Sequence, residues 1–181
     1  FGGWGHGAMA NYIVLPESKI SKKPNALNMA EAAAFATAYT TAYVSLIRRG
    51  EMKPDDVVLI HGSSGGVGMA AVQLAKMFGN TVIATGTSDE KLKIVKSWGA
   101  DFILNTLKDG VTAFREEVKD LTDGKGADVI YDPVGGDVFD ESIRCINWNG
   151  RLLIVGFTSG RLPSLPVNIA LIKGFSVIGV R

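Results

Sequence analysis

The sequence predicts an α/β fold built on a doubly wound parallel sheet. Three observations carry that expectation. From about residue 55, short apolar runs alternate with amphipathic segments of helical period, which is the pattern of βαβ units. The apolar runs, such as "DVVLIH" at 56–61, are continuous, as strands buried on both faces require. Glycines close the first two of these helical segments, at Gly79 and Gly99, where a crossover has to turn back to the sheet.

Taken in order, residues 1 to about 30 are irregular, with one short strand pattern from Asn11 to Leu15 that Pro16 halts. A helix is expected next, from Asn28 as N-cap to Gly50 as stop, with Glu31 placed to complete a capping box. Its Ala- and Thr-rich middle offers small side chains, so a neighbour can approach its backbone closely. The series then runs strand "DVVLIH", helix "GMAAVQLAKMF", strand "TVIAT", helix "DEKLKIVKSWG", strand "DFILN" and helix "GVTAFREEVKDLTDG". Strand "DVIYD" and helix "VFDESIRCIN" follow, and "RLLIVGF" and "FSVIGV" read as two successive strands. Asp89 and Glu90 lie in the first turn of their helix, where the helix dipole favours acid.

Composition removes several classes of function. Lys and Arg total 19 against 18 for Asp and Glu, so no overall field draws in nucleic acid or an anionic membrane. Cys145 is the only cysteine, which rules out an internal disulfide and any Cys-rich metal lobe built from this chain. A reducing, cytoplasmic setting is the expectation. No run of about 18 apolar residues is present to span a membrane, and no secretory signal opens the chain. The chain begins without Met and stops inside an apolar run, so both ends read as cut from something longer.

The chemistry is written in "LIHGSSGGVG", residues 59–68. A glycine fingerprint between an apolar strand and a helix is a phosphate-binding turn, although here Ser63 stands where the fingerprint opens with Gly. Gly65 and Gly66 remove side chains, so a pyrophosphate can reach backbone N–H groups at the helix N-terminus. Gly68 lets the helix pack closely on the strand. Placed after the first strand of a βαβ series, this is a Rossmann-type dinucleotide turn.

The end of the second strand selects the dinucleotide. NAD sites place Asp or Glu there for the ribose hydroxyls, but "VIATGTSDEKLK" has Thr85-Gly86-Thr87. Without that carboxylate a 2′-phosphate is tolerated, and Thr87, Ser88 and Lys91 can donate to it. NADP(H) is therefore favoured over NAD. The plainer alternative is that Thr87-Ser88 caps the next helix and Lys91 is a solvated charge.

These residues carry a resemblance. "GEMKPDDVVLIHGSSGGVGMAAVQLAKMFGNTVIATGTSDEKLKIVKSWGAD", "GADVIYDPVGG" and "NGRLLIVGFTSG" closely resemble the zinc-independent NADPH:quinone oxidoreductases, the zeta-crystallin-like branch of the medium-chain dehydrogenase/reductase superfamily. "GHGAMANYIVLP" looks like the closing strands of that family's GroES-like β catalytic domain. The resemblance thus implies a truncated catalytic-domain remnant at 1–27 and an NADP-binding Rossmann domain at 28–181. It implies that Thr41 contacts the nicotinamide and that Ser64, Gly65, Gly66 and Val67 form the pyrophosphate turn. Gly86 and Lys91 would surround the adenosine ribose and its 2′-phosphate, with Thr106 on the adenosine side. Gly135 and Val155-Gly156-Phe157-Thr158 would wall the nicotinamide ring.

Metal is not expected. Zinc-dependent relatives place a Cys ligand where this chain has Thr37, and Cys145 sits among apolar neighbours as a structural thiol. His6 and His61 lack partners at ligand spacing, and His61 reads as a satisfied structural residue. The implied activity is hydride transfer from NADPH to a quinone or α,β-unsaturated carbonyl, with the proton donor unassigned. Asp132 and Asp137 read as turn residues. Two alternatives stand beside it: reduction of an enoyl or acryloyl thioester, and a non-catalytic module that binds NADPH as a structural or redox-sensing ligand. The apolar terminal strand "FSVIGV" suits a sheet edge that a second copy covers, so a homodimer is expected.

Overall fold

The computed structural model describes residues 9–108, 110 and 112–181. The chain divides into two units, one ending at Phe35 and the other running from Ala36 to Arg181. His6 lies outside the described residues.

In the first unit a single 3₁₀ turn, Glu17–Lys19, precedes the start of helix α1 (Met29–Tyr43). The capping box forms as expected. Glu31 N–H donates to Asn28 Oδ1 at 2.9 Å, and Asn28 N–H donates back to Glu31 Oε2 at 2.8 Å. The strand expected at Asn11–Leu15 does not form. Among the described residues no other segment pairs with it, and without a ladder partner an apolar run stays irregular. Tyr12 and Val14 are fully exposed as a result.

The second unit takes up α1 at Ala36. The helix expected to reach Gly50 changes pitch at Tyr43, and Val44–Arg49 follow as a π-helical segment. Gly50 N–H donates to Ser45 O at 2.7 Å, one residue wider than an α-turn. Ser45 Oγ donates to Thr41 O at 2.6 Å, the competition for a carbonyl that loosens helices at Ser.

Six strands follow: β1 (Val57–Ile60), β2 (Thr81–Gly86), β3 (Phe102–Asn105), β4 (Ala127–Asp132), β5 (Ile146–Ile154) and β6 (Ser176–Gly179). All pair in parallel, in the order β3-β2-β1-β4-β5-β6. Five helices connect them: α2 (Gly66–Met77), α3 (Asp89–Ser97), α4 (Ala113–Asp120), α5 (Gly136–Cys145) and α6 (Val167–Lys173). Helix α6 replaces the direct strand-to-strand step expected there. Two parallel strands need a crossover, and Val167–Lys173 supplies it after Pro166 as N-cap. At seven residues it is too short to show helical period in the sequence.

Alternation along the strands divides the core in two. Val58 and Ile60 point to one face with Leu46, Val72, Val82 and Val95, so that α2 and α3 cover it. Leu59 points to the other with Phe114, Ile130, Phe139 and Ile143, under α4 and α5. The sheet is therefore wound on both faces, and its strand order reverses between β1 and β4. The loops leaving those two strands meet at the reversal. A Cβ on Gly62 would lie 3.3 Å from Pro133 Cγ and 3.5 Å from Val134 Cγ2.

Candidate cofactor site

The glycine turn has an inner and an outer half. Ser63 is fully buried; its N–H donates to Thr85 O at 3.0 Å and its hydroxyl to the same oxygen at 2.8 Å. Gly68 is buried too, and a Cβ there would fall 2.3 Å from Gly62 O and 2.8 Å from Ser63 Cα. The outer half, Ser64, Gly65 and Gly66, is exposed. A Cβ on Gly66 would meet nothing within 4 Å. Here α2 starts, its first N–H groups unpaired within the helix and its dipole positive. The inner residues fix the turn, and the outer ones leave open space beside the start of α2.

At the end of β2, Gly86 is buried and its Cβ position lies 3.1 Å from Leu92 Cδ2. A Cβ there would press on the Leu92 side chain, so glycine leaves room for α3 to lie close to the strand. Thr87 and Lys91 are exposed. Ser88 caps α3, with Lys91 N–H donating to its Oγ at 3.4 Å, so its hydroxyl serves the helix end. Thr106, after β3, turns inward; its Oγ1 donates to Gly86 O at 3.2 Å and it is 6% exposed. Gly86 and Thr106 thus shape this corner through backbone and packing, while Thr87 and Lys91 present side chains at its surface.

The loops after β4 and β5 are zipped together. Val155 N–H donates to Asp132 O at 2.9 Å, Thr158 N–H to Pro133 O at 3.0 Å and Ser159 N–H to Val134 O at 3.0 Å. Gly135 has φ +69°, and a Cβ on it would approach Phe157 Cδ1 to 3.1 Å. Asp132 Oδ1 accepts from Val134 N–H at 2.8 Å and from Gly135 N–H at 2.9 Å, the turn role expected for it. Its Oδ2 is buried with no hydrogen-bond partner among the described residues. Burial raises its carboxyl above the ordinary range, and the two amide donors pull the other way. Arg161 fastens the second loop to α5 through Asp137, at 2.9 Å, and Asp140.

Thr41 and Val155 share one cavity of ≈ 380 Å³, lined also by Thr40, Val44, Val180 and Arg181. Sequence reasoning had singled out Thr41 and Val155 but missed Thr40, Val44 and Val180. No local motif marks those three, because α1, the π-helical segment and the residue after β6 come together only in the fold. Tyr39 donates to Gln73 Oε1 and ties α1 to α2 beside it.

His61, at the mouth of β1, is fully buried between Thr85 Oγ1 and Ser142 Oγ, each 2.8 Å from a ring nitrogen. Burial lowers its pKa to about 3. Burial likewise pushes the Cys145 thiol up to about 12. Among the described residues no three His, Cys, Asp or Glu side chains converge, and Thr37 stands exposed on α1. The described residues therefore offer no set of zinc donors.

A dinucleotide cradle at the switch point of a doubly wound sheet defines a nicotinamide-cofactor domain. Residues 66–181 match the model of the family described as zinc-binding dehydrogenase, and the chain belongs to that family, within the medium-chain dehydrogenase/reductase superfamily. It is 41% identical over 175 residues to the quinone oxidoreductase-like protein 2 homolog of Nematostella vectensis, covering 96% of this chain and 47% of that protein. Among solved structures, an NAD-dependent alcohol dehydrogenase superposes with TM-score 0.89 at 37% identity, covering 97% of this chain and 50% of the other. A mycobacterial protein solved in complex with NADPH gives 0.82 at 32%, with 92% and 50% covered. The nucleotide-binding subdomain of the enoylreductase domain of PpsC from Mycobacterium tuberculosis gives 0.72 at 32%, with 80% and 79% covered. The chain spans about half the length of the curated relative it matches.

Proposed function

We propose that this chain is the NADPH-binding half of a zinc-free oxidoreductase that reduces a quinone or an α,β-unsaturated carbonyl. The observation that carries the reading is the division of the glycine turn. Ser63 and Gly68 are locked inside, while Gly66 opens onto space that a Cβ would begin to fill. Pyrophosphate fits that space and the N–H groups behind it. NADPH is favoured over NADH because β2 ends in Thr85-Gly86-Thr87 with no carboxylate, and Lys91 stands beside it without an ion-pair partner among the described residues. The solved relative in complex with NADPH supports this, while the NAD-dependent relative keeps the choice experimental.

NADPH, when bound, supplies a hydride from C4 of its nicotinamide. The chain's own contribution is placement. Gly65 and Gly66 receive the pyrophosphate, Thr87 and Lys91 meet the 2′-phosphate, and Ser88 holds the start of α3 below them. Thr41 and Val155 flank the ring's cavity, and the zipped loops from Gly135 and from Val155 to Thr158 keep that wall in place. The proton donor is unassigned, and we assign residues 1–27 to the end of the catalytic domain.

The PpsC enoylreductase structure favours a second reading, reduction of an enoyl thioester. In the wider proposal the protein is cytoplasmic and dimeric, with the exposed edge β6 paired to a second copy. No helix among the described residues is long and apolar enough to cross a membrane. The test is a fluorescence titration of the chain with NADPH and with NADH, followed by an acceptor screen of quinones, enones and enoyl thioesters on the full-length protein. Tight NADPH and weak NADH binding is expected. NADH preference would overturn the 2′-phosphate assignment, and binding of neither would overturn the cofactor reading.

A further inference from the structure

The glycine turn rests on a line of buried polar groups, and the direction of each hydrogen bond can be worked out. Ser142 Oγ, on α5, donates its single hydrogen to Val138 O at 2.6 Å. It can therefore only accept from His61 Nε2, 2.8 Å away, so Nε2 carries the proton. The neutral ring has one N–H, which leaves Nδ1 an acceptor. Thr85 Oγ1, at 2.8 Å, must donate to it. Thr85 O in turn accepts both the N–H and the hydroxyl of Ser63. His61, Ser63 and Ser142 are fully buried and Thr85 is 2% exposed, so water replaces none of these bonds. The Phe114 ring meets the imidazole edge to face at 5.2 Å and fixes its plane.

We propose that His61 is a positioning residue for the dinucleotide site, acting through Thr85 to set both Ser63 at the root of the glycine turn and the end of β2. Thr85 is the junction. Its carbonyl holds the pyrophosphate turn, and the next residue, Gly86, begins the corner that meets the adenosine ribose. The imidazole holds the Thr85 hydroxyl on the face covered by α4 and α5 and anchors it to α5. A fully buried imidazole has to satisfy both ring nitrogens. Here both are bonded, and each to a group with only one possible role. This inference rests on the NADPH reading above.

Three substitutions separate positioning from stability. In H61N, Oδ1 can accept from Thr85 in place of Nδ1, while the bond to Ser142 is lost. In H61Q, the longer amide can donate to Ser142, and the bond to Thr85 is lost. T85V removes the hydroxyl and keeps the side-chain volume. NADPH dissociation constants and melting temperatures are measured for all three and for wild type. Both His variants melt lower than wild type. H61N retains near-native NADPH affinity, whereas H61Q and T85V weaken it by about tenfold, the worth of one hydrogen bond. Affinity that follows melting temperature, with H61N and H61Q weakened alike, overturns the positioning role. So does native affinity in T85V. A wild-type chain that binds no NADPH overturns the functional reading itself, and this role with it.

Discussion

Gly66 and Gly68 sit two residues apart in the same turn, and the structure predicts opposite consequences for the same added methyl. At Gly68 a Cβ would lie 2.3 Å from Gly62 O and 2.8 Å from Ser63 Cα, below any distance that a real Cβ tolerates. The overlapped atoms are backbone, and Gly62 O already accepts from Gly65 N–H at 3.0 Å, so the turn cannot retreat without opening. Overpacking against an immobile backbone costs about 3 kcal/mol, the upper end of the usual range. For a chain of this size that lowers Tm by about 6–12 °C. At Gly66 the same methyl meets nothing within 4 Å. Alanine is the better helix former by up to about 1 kcal/mol, so G66A keeps or raises Tm. The methyl then occupies the space assigned to pyrophosphate, and NADPH affinity falls by at least about tenfold, more than 1.4 kcal/mol. Scanning calorimetry and NADPH titration of G66A and G68A decide the matter. A G66A chain that binds NADPH like wild type refutes the cradle, and a G68A chain with native Tm refutes the packing argument.

Three further outcomes follow from the same geometry. His61 has a folded pKa of about 3 against 6.5 when unfolded, so the unfolded state binds more protons between those values and stability falls as pH drops below 6.5. At pH 5.0 the loss is about 2 kcal/mol. Asp132, with its carboxyl raised by burial, contributes with the opposite sign, so the comparison is made between wild type and H61Q by urea unfolding at pH 7.5 and 5.0. The wild type is expected to lose about 2 kcal/mol more than the variant. K91A should weaken NADPH by about fivefold, the loss of one exposed charge-assisted contact, and leave NADH unchanged; equal effects on both cofactors would remove Lys91 from the 2′-phosphate site. Cys145, buried and with its thiol pushed up to about 12, should resist iodoacetamide in the folded chain at pH 8 and react on unfolding, as followed by mass spectrometry.

The sheet was legible because its strands are written as uninterrupted apolar runs between glycines. No competing pattern explains "DVVLIH" or "TVIAT". The capping box at Asn28 and Glu31 was equally plain, since both partners lie within one helical turn. Misreadings came where the deciding contact is distant in sequence. Asn11–Leu15 has strand composition, but a strand is a property of a pair, and no partner is present among the described residues. Helix α6 is fixed by the parallel pairing of β5 with β6 and has little helical pattern of its own. The change of pitch after Tyr43 depends on how Val44–Arg49 pack, with Leu46 buried in the core. The exposed outer half of the glycine turn could be read from glycine spacing alone. Thr85 could not, because its part comes from a carbonyl facing Ser63 and a hydroxyl facing His61, 22 and 24 positions away.

Ser63 shows why the departure from the glycine fingerprint leaves the turn intact. A fingerprint glycine answers one of three needs: a left-handed φ, a close neighbour, or an approaching ligand. The left-handed conformation falls one residue earlier, on Gly62 at φ +56°. The close neighbour is met by Gly68, and the open approach by Gly66. Position 63 carries none of these duties, and its side chain points inward to a carbonyl oxygen that can accept it. Serine there adds a second bond to Thr85 O, where glycine would make only the amide bond. S63G should accordingly loosen the turn by about 1 kcal/mol while leaving the cradle's shape unchanged. S63A should do the same, because the lost group is the hydroxyl. If S63A instead abolished NADPH binding with no loss of stability, Ser63 would be a ligand contact and the inner half of the turn would have to be redrawn.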